Sequence, residues 1–406
     1  MVLASILEFS PSTGKWHSRK AELEVPLNRV SPFPCYIFLT KSVYPKREAE
    51  RRELLRHFNI PRMIATDMCN QCNGYFGSKE VYNETDQTQS YNTWLRCLVK
   101  ISHHTPQGGT GYTWYEMTFF THWEPNRCMA VCVDIPDNFL TDLEHALSTE
   151  SAVLDLSDPF TLHIPLMDQI IMLYDQSVWR IRDLIRRVEK NREKDQAADA
   201  DFSELHEISR HSTHSSETLS VTIQTMEDLQ QRHREFHEHS LSPIAVTSTG
   251  WKATQQYMGF QAQLIRNLKL RSQANQERLL NEITLAYNTI TQRDSKVMVE
   301  IGEATQSDSA AMKTVAVVTI TFLPATFTSA IFSMSFFNFS PGDGSQADEW
   351  RVSGKIWIYW VVAVPLTGLA LFSWFLWQRS KGQSLQIHNL WRRQFDRQRL
   401  KQDEKA

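Results

Sequence analysis

Several features typical of secreted proteins and of enzymes are missing from this chain of 406 residues. The apolar run at its N-terminus spans only about six residues and no basic residue precedes it, so it does not fit a secretory signal. The sequence contains no G-x-S-x-G elbow and no paired-acid signature, and the glycine-rich turn at 107–111 lacks the lysine of a phosphate-binding loop. These absences predict a protein that is not an enzyme.

Charge is also missing from two long stretches. Residues 314–337 are 24 consecutive positions without a charged side chain, and residues 356–377 form a second such block after a loop of 18 residues. Each block is longer than the ~20 residues with which an α-helix crosses ~30 Å of hydrocarbon. The mean hydropathy of -0.39 shows that the rest of the chain is polar. The sequence therefore predicts a soluble part, a transmembrane hairpin and a lipid bilayer as a partner.

The charges that flank the two blocks predict their orientation. Residues 379–406 carry eight Lys or Arg against three Asp or Glu, whereas the loop at 338–355 carries two against three. By the positive-inside rule, the tail is cytoplasmic and the loop external. We expect an integral membrane protein with two spans and with both termini in the cytoplasm. The formal net charge of -3 gives no reason to expect nucleic acid as a partner.

Cysteine is scarce, and its spacing does not favour a metal site. One C-x-x-C motif, Cys69 and Cys72, has no second motif and no histidine pair at metal spacing to complete a zinc site. Because all six cysteines precede the first span, they lie on the predicted cytoplasmic side, where thiols stay reduced. We predict buried thiols and no disulfide.

Residues 1–155 are predicted to form a mixed α/β domain. Apolar and polar side chains alternate along 112–123, which is typical of a half-buried strand, and the apolar run at 129–133 predicts another. A short helix with Leu140, Leu143 and Leu147 on one face is predicted to follow, with Asp137 as its N-cap.

The pattern from 156 to 311 is helical and predicts a stalk domain with coiled-coil character. Its first helix carries a seam at alternating intervals of four and three residues, formed by Met167, Ile171, Tyr174, Val178, Ile181, Ile185 and Val188. After a polar break at 191–201, a second helix is predicted to place Leu219, Met226, Leu229 and Phe236 on its apolar face. A third helix starts near residue 254 and has no proline before Pro324, so stalk and first span are predicted to be continuous.

The histidines of the second stalk helix stand in polar sequence. They are His206, His211, His214, His233 and His237. We predict that they form a solvated face rather than a metal site.

The first span resembles a known pore helix. From Met312 the sequence reads MKTVAVVTITFLPATFTSAIFSMSF, which resembles without a gap the pore helix of the CorA family of magnesium channels. The similarity comprises the initial Met-Lys, the central Phe-x-Pro-x-Thr-Phe and the final aromatic-x-Met-x-Phe. Upstream, LRSQANQERLLNEI and QRDSKVMVEIGEATQSDSAAMKT look like the fungal CorA-like branch, so the resemblance covers roughly residues 155–380. Family members end this helix with Gly-Met-Asn, where this chain has Ser333, Met334 and Ser335.

The resemblance implies a fold and an assembly. The fold is an α+β cytoplasmic domain plus a long helical stalk and two C-terminal transmembrane helices, mainly α, and the assembly is a homopentamer. The implied division is a cytoplasmic domain at 1–155, a stalk at 156–311, a pore-lining span at 312–337, an external loop at 338–355, a second span at 356–378 and a basic tail at 379–406. The transported ions are divalent metal cations with Mg²⁺ as the first candidate, and no organic cofactor is expected.

The resemblance also implies which residues line the pore. In the register of the family these are Met312, Val315, Thr319, Leu323, Thr326, Ala330 and Ser333, which share one face of a helix. When several chains surround a pore, such a stripe produces apolar constrictions that alternate with rings of hydroxyl groups. Ser335 stands where family members hold the hydrated ion with an asparagine amide. Since a serine hydroxyl is shorter, we expect altered or weakened selectivity.

Two groups of acids are candidates for cation binding. Asp343, Asp348 and Glu349 lie in the loop and would raise the local cation concentration at an external mouth if they were repeated around a ring. Glu300, Glu303 and Asp308 precede the first span, where Mg²⁺ bridging neighbouring chains would regulate the pore. The alternative for both groups is that they are solvated charges.

Two other functions stay open from the sequence. The loss of Gly-Met-Asn is compatible with a non-conducting membrane-anchored sensor or scaffold that retains the CorA fold. A soluble helical interaction protein is the second alternative, which would require that neither block enters a membrane.

Overall fold

The computed structural model describes most of the chain up to residue 379. The described residues are 2–23, 31, 33–39, 52, 55–56, 59–85, 87–104, 110–125, 127–149, 154–194, 202–239, 248–340, 349–352 and 354–379. They form two compact units, Met1–Asn288 and Thr289–Ala406. The basic tail from residue 380 onward lies outside the described residues.

The first unit is built on a seven-stranded sheet. Its strands are β1 (Val2–Ser10), β2 (Lys15–Leu23), β3 (Cys35–Leu39), β4 (Gly74–Tyr82), β5 (Thr88–His104), β6 (Thr110–Glu124) and β7 (Arg127–Val133). Their order is β2-β1-β3-β7-β6-β5-β4, and all neighbours are antiparallel except β3 and β7. β6 and β7 confirm the two strands that the alternating pattern predicts.

Both faces of this sheet are buried. On β3, Tyr36 and Phe38 belong to the cluster that packs against the helices, whereas Cys35, Ile37 and Leu39 belong to a cluster on the opposite face. The period-two alternation of a strand explains this division.

All six cysteines are free thiols, and burial raises the pKa of Cys35 and of Cys97 to about 12.

Six helices with defined bounds belong to the described residues. They are α1 (Asp67–Gln71), α2 (Phe139–Thr149), α3 (His163–Lys194), α4 (Phe202–His239), α5 (Ser248–Phe336) and α6 (Trp357–Arg379), and a 3₁₀ turn spans Arg62–Ala65. All seam residues of α3 except Val188 are buried, as predicted. α5 confirms that one helix runs from the stalk through the first apolar block. The predicted α+β part, long helix and apolar C-terminal helix are therefore present.

Two histidines contradict the prediction of a solvated face on α4. His211 and His233 are buried, whereas His206 is exposed. His233 follows Met226 and Leu229 at helical intervals and precedes Phe236 by three residues, so it occupies a position on the apolar face of α4. Burial and the neighbouring positive charge of Lys100 lower the pKa of His211 to about 4.

Asp158 and His233 form a buried ion pair in the first unit. His233 Nε2 lies 2.9 Å from Asp158 Oδ2, and His233 Nδ1 lies 2.6 Å from Gln255 Oε1 on α5. The two side chains of the pair are 2% or less exposed. Burial by itself lowers the pKa of His233, but the hydrogen bond and the charge of Asp158 outweigh burial, so this pKa is raised. The pair thus links the segment before α3 to α4 and α5.

Replacing Asp158 by asparagine is expected to lower the free energy of unfolding by about 3–5 kcal/mol, because it leaves a buried imidazolium without its counter-charge. The stabilisation by the pair is complete below the ordinary histidine pKa of about 6.5 and is lost as the pH rises through the raised folded-state pKa. Urea unfolding at pH 6 followed by circular dichroism measures the loss. The control Glu227→Gln breaks an exposed pair with Arg266, for which a change below about 1 kcal/mol is expected; equal losses in the two variants would contradict the role of the buried pair.

Candidate functional site

The apolar part of α5 and the whole of α6 form the candidate site. Both helices are long and apolar enough to cross a membrane, and only 6% of the most apolar stretch of each is buried. A core helix of a soluble protein would be mostly buried. Large apolar side chains such as Phe322, Phe327, Phe372 and Trp377 are instead more than half exposed. Because each such side chain gains roughly 1.5–3 kcal/mol on leaving water, this surface requires lipid or protein around it.

One face of α5 packs against α6. Thr328 on α5 and Ala363 on α6 are both 3% exposed, and the Tyr359 hydroxyl donates to the Ala325 carbonyl at 3.4 Å. A groove of about 870 Å³ runs between the two helices, and Thr326 and Ala330 also border it. α5 and α6 therefore form a hairpin in which the face with Pro324 and Thr328 is internal.

The threonine hydroxyls of α5 donate to carbonyls of their own helix. Thr319 donates to Val315 at 2.8 Å, and Thr326 donates to Leu323 at 3.0 Å. Such local bonds satisfy the hydroxyl proton without a partner from another helix. Each hydroxyl oxygen keeps its lone pairs, so each of these threonines is a hydrogen-bond acceptor.

The predicted pore stripe lies on exposed positions of α5. Met312, Val315, Thr319, Leu323, Thr326 and Ala330 are all exposed in the single chain. Positions two residues apart differ by about 200° around a helix, which places Thr326 opposite Thr328. Thr319 is nine residues from Thr328 and is also opposite to it. The stripe thus avoids Thr328, and two of its residues, Thr326 and Ala330, lie at the border of the groove beside α6.

The predicted selectivity residues Ser333, Met334 and Ser335 belong to the last turn of α5. Immediately after them, the chain forms a two-stranded sheet of β8 (Phe337–Ser340) and β9 (Glu349–Val352). The external loop predicted at 338–355 therefore contains short antiparallel strands, and Glu349 is the first residue of β9. Asp343 and Asp348 lie outside the described residues.

Glu300, Glu303 and Asp308 are exposed along α5. Among the residues that the structure describes, no group of three or more His, Cys, Asp or Glu is arranged to hold a metal ion. Cys69 and Cys72 are included in this statement, and the Cys72 thiol donates to the Met68 carbonyl at 3.2 Å. A metal site at Glu300 and Glu303 would therefore need acids from neighbouring chains.

Comparison with known proteins gives one curated relative. The chain is 29% identical over 276 residues to the Notoamide biosynthesis cluster protein M' of Aspergillus versicolor, and the match covers 63% of this chain and 57% of that protein. The chain thus spans little more than half the length of this relative. No family model matches the chain.

Two solved structures cover nearly the whole chain. Full-length CmaX gives a TM-score of 0.46 at 14% identity, with 93% of this chain and 97% of that chain covered. The CorA magnesium transporter from Methanocaldococcus jannaschii gives a TM-score of 0.41 at 13% identity, with 92% and 97% covered.

Proposed function

We propose that this protein is a membrane channel for divalent metal cations, with Mg²⁺ as the first candidate, and that α5 lines its pore. The observation that supports the proposal is the two-faced construction of α5. The side that carries Thr328 packs against α6, and Thr319, Thr326 and apolar residues occupy exposed positions away from Thr328, with Thr326 at the border of the groove beside α6. The ungapped resemblance of residues 312–336 to the CorA pore helix supports the same face as the lumen.

The chemistry of the threonines suits a hydrated cation. Mg²⁺ sheds its water reluctantly, so the outer surface of the hydrated ion consists of water hydrogens. The hydroxyl oxygens of Thr319 and Thr326 are acceptors because their own protons are donated to α5 carbonyls. Rings of such acceptors hydrogen-bond the water shell without removing it. The apolar positions between these rings make constrictions that close when they lose water.

A pore requires several copies of the chain. One helix supplies one strip of wall, and the family resemblance implies five subunits around the axis. We place the hairpin across the bilayer because the exposed apolar surface of α5 and α6 needs a non-aqueous environment. The positive-inside rule places both termini in the cytoplasm. Mg²⁺ entry into liposomes that contain the purified full chain tests the proposal.

Replacing Ser335 by asparagine is expected to change ion preference. The amide side chain is longer than a hydroxyl side chain, so the filter becomes narrower. The amide also offers a hydrogen-bond donor as well as an acceptor to the water shell of the ion. We expect a higher ratio of Mg²⁺ flux to Ni²⁺ and Co²⁺ flux in Ser335→Asn, measured in the same liposome preparation. Ser307→Asn makes the same change before the first span and is expected to keep the native ratio. An unaltered ratio in Ser335→Asn would remove Ser335 from the filter.

A further inference from the structure

A polar cavity of about 400 Å³ lies within the first unit. β5 and β6 form one wall, α3 forms another, and the segment between β7 and α2 closes an end. The floor is apolar and buried, with Ile101 and Leu173. The rim is polar and exposed, with His103, Asn138, Gln176 and Arg180. The nine residues that line the cavity include no acid.

Arg180 is held in place by a backbone group. Its Nη1 donates to the Ser102 carbonyl of β5 at 2.6 Å. Other arginines on the same helix pair with carboxylates, as Arg182 does with Asp183 at 3.1 Å. Within the described part of the chain, no carboxylate pairs with Arg180. Its guanidinium is therefore oriented by one hydrogen bond and keeps further N–H donors for a group in the cavity.

Other polar groups line the cavity with this arginine. His103 Nδ1 lies 3.4 Å from Thr113 Oγ1. A proton donated by the Thr113 hydroxyl to Nδ1 leaves His103 Nε2 as an N–H donor. The Gln176 amide adds another N–H donor at the rim, and Tyr115 lines the same space. The cavity thus combines the guanidinium of Arg180 with several further polar side chains.

We propose that this cavity binds a small organic anion through a carboxylate or phosphate group. The oxyanion pairs with Arg180 in the forked geometry that a guanidinium offers, and His103 supplies an additional hydrogen bond. The body of the ligand contacts the floor at Ile101 and Leu173. The volume is at the lower end of the range for small-molecule sites. This function lies beyond ion conduction, since every lining residue belongs to the unit Met1–Asn288.

Calorimetric titration of the purified full chain in detergent tests this proposal. The probes are inorganic phosphate, glycerol 3-phosphate and citrate, each added at constant ionic strength. Saturable binding of one probe molecule per chain is expected for at least one of them, and the phosphate and carboxylate probes distinguish the two head groups. Absence of saturable binding for all three probes would overturn the proposal.

Variants of Arg180 locate the binding. Arg180→Gln is expected to lower the affinity for the probe by about 10- to 100-fold, because the variant loses a charge-assisted hydrogen-bonded pair. Arg180→Lys keeps a donor for the Ser102 carbonyl and is expected to weaken binding less, which separates ligand recognition from loss of structure. Arg186→Gln removes an exposed arginine of α3 outside the cavity and should bind as the native chain does. Native affinity in Arg180→Gln would refute the assignment.

Discussion

Replacing Thr319 and Thr326 together by valine is expected to lower Mg²⁺ flux by about 100-fold or more. Valine has nearly the shape of threonine, so the helix is preserved while the two acceptor oxygens are lost. In a pentamer the double variant removes two complete rings of acceptors from the water shell. Each lost hydrogen bond costs about 0.5–1.5 kcal/mol, and about 1.4 kcal/mol in a barrier changes a rate tenfold. The loss of two or three such bonds therefore raises the barrier to conduction enough to lower the flux about 100-fold.

The matched control makes the same chemical change on the side of α5 that carries the buried Thr328. Thr321 and Thr328 also donate to their own helix, at 2.7 Å to Val317 and at 2.7 Å to Pro324. Thr328 is 3% exposed and belongs to the face that packs on α6. The variant Thr321→Val with Thr328→Val is expected to conduct close to the native rate. Equal loss of flux in both double variants, or no loss in the first, would contradict the assignment of the lumen face.

Replacing Glu300, Glu303 and Asp308 together by their amides is expected to abolish inhibition by Mg²⁺ on the cytoplasmic side and to leave conduction intact. The three acids are exposed on α5 before the first span. Around a ring of subunits they repel one another, and a bridging divalent cation would relieve this repulsion. Binding would then favour the closed assembly, and a differential affinity of a few kcal/mol shifts the population almost completely.

The control for this variant neutralises other exposed acids of the same helix. Glu277→Gln with Asp294→Asn changes the charge of α5 but lies further from the first span. It should keep the native inhibition curve, measured as flux against internal Mg²⁺ concentration. Native inhibition in the triple variant would refute this placement of the regulatory site.

The helices were predictable because their apolar period is regular. The seam of α3 and the apolar face of α4 follow three- and four-residue intervals, and the structure buries the face of α4 and every seam residue of α3 except Val188. The strand β5 was not predicted, because buried charges interrupt its alternation. Arg96 is buried on β5 but donates to the Asn70 and Cys72 carbonyls at 2.6 and 3.0 Å. Lys100 is buried against His211 and the ring of Trp114.

The candidate site was predictable only in part. The resemblance of residues 312–336 assigns the stripe, and helical geometry alone places Thr319 and Thr326 on one face. The positions of Ser333 and Ser335 relative to an ion depend on neighbouring chains. Their role in ion selectivity therefore stays a prediction. The cavity at Arg180 had no sequence signal. Its arginine and His103 are distant in sequence and are brought together by the packing of α3 on β5.

Mg²⁺ flux through the native chain tests the central claim most directly. Purified full chain is reconstituted into liposomes that enclose a Mg²⁺-sensitive dye, and Mg²⁺ is added outside. A channel predicts saturable entry that rises with the amount of protein, exceeds that of protein-free liposomes and falls in the variant with Thr319→Val and Thr326→Val. Entry at the protein-free background, with the protein shown to be inserted and folded, would contradict the account and favour a non-conducting sensor or scaffold.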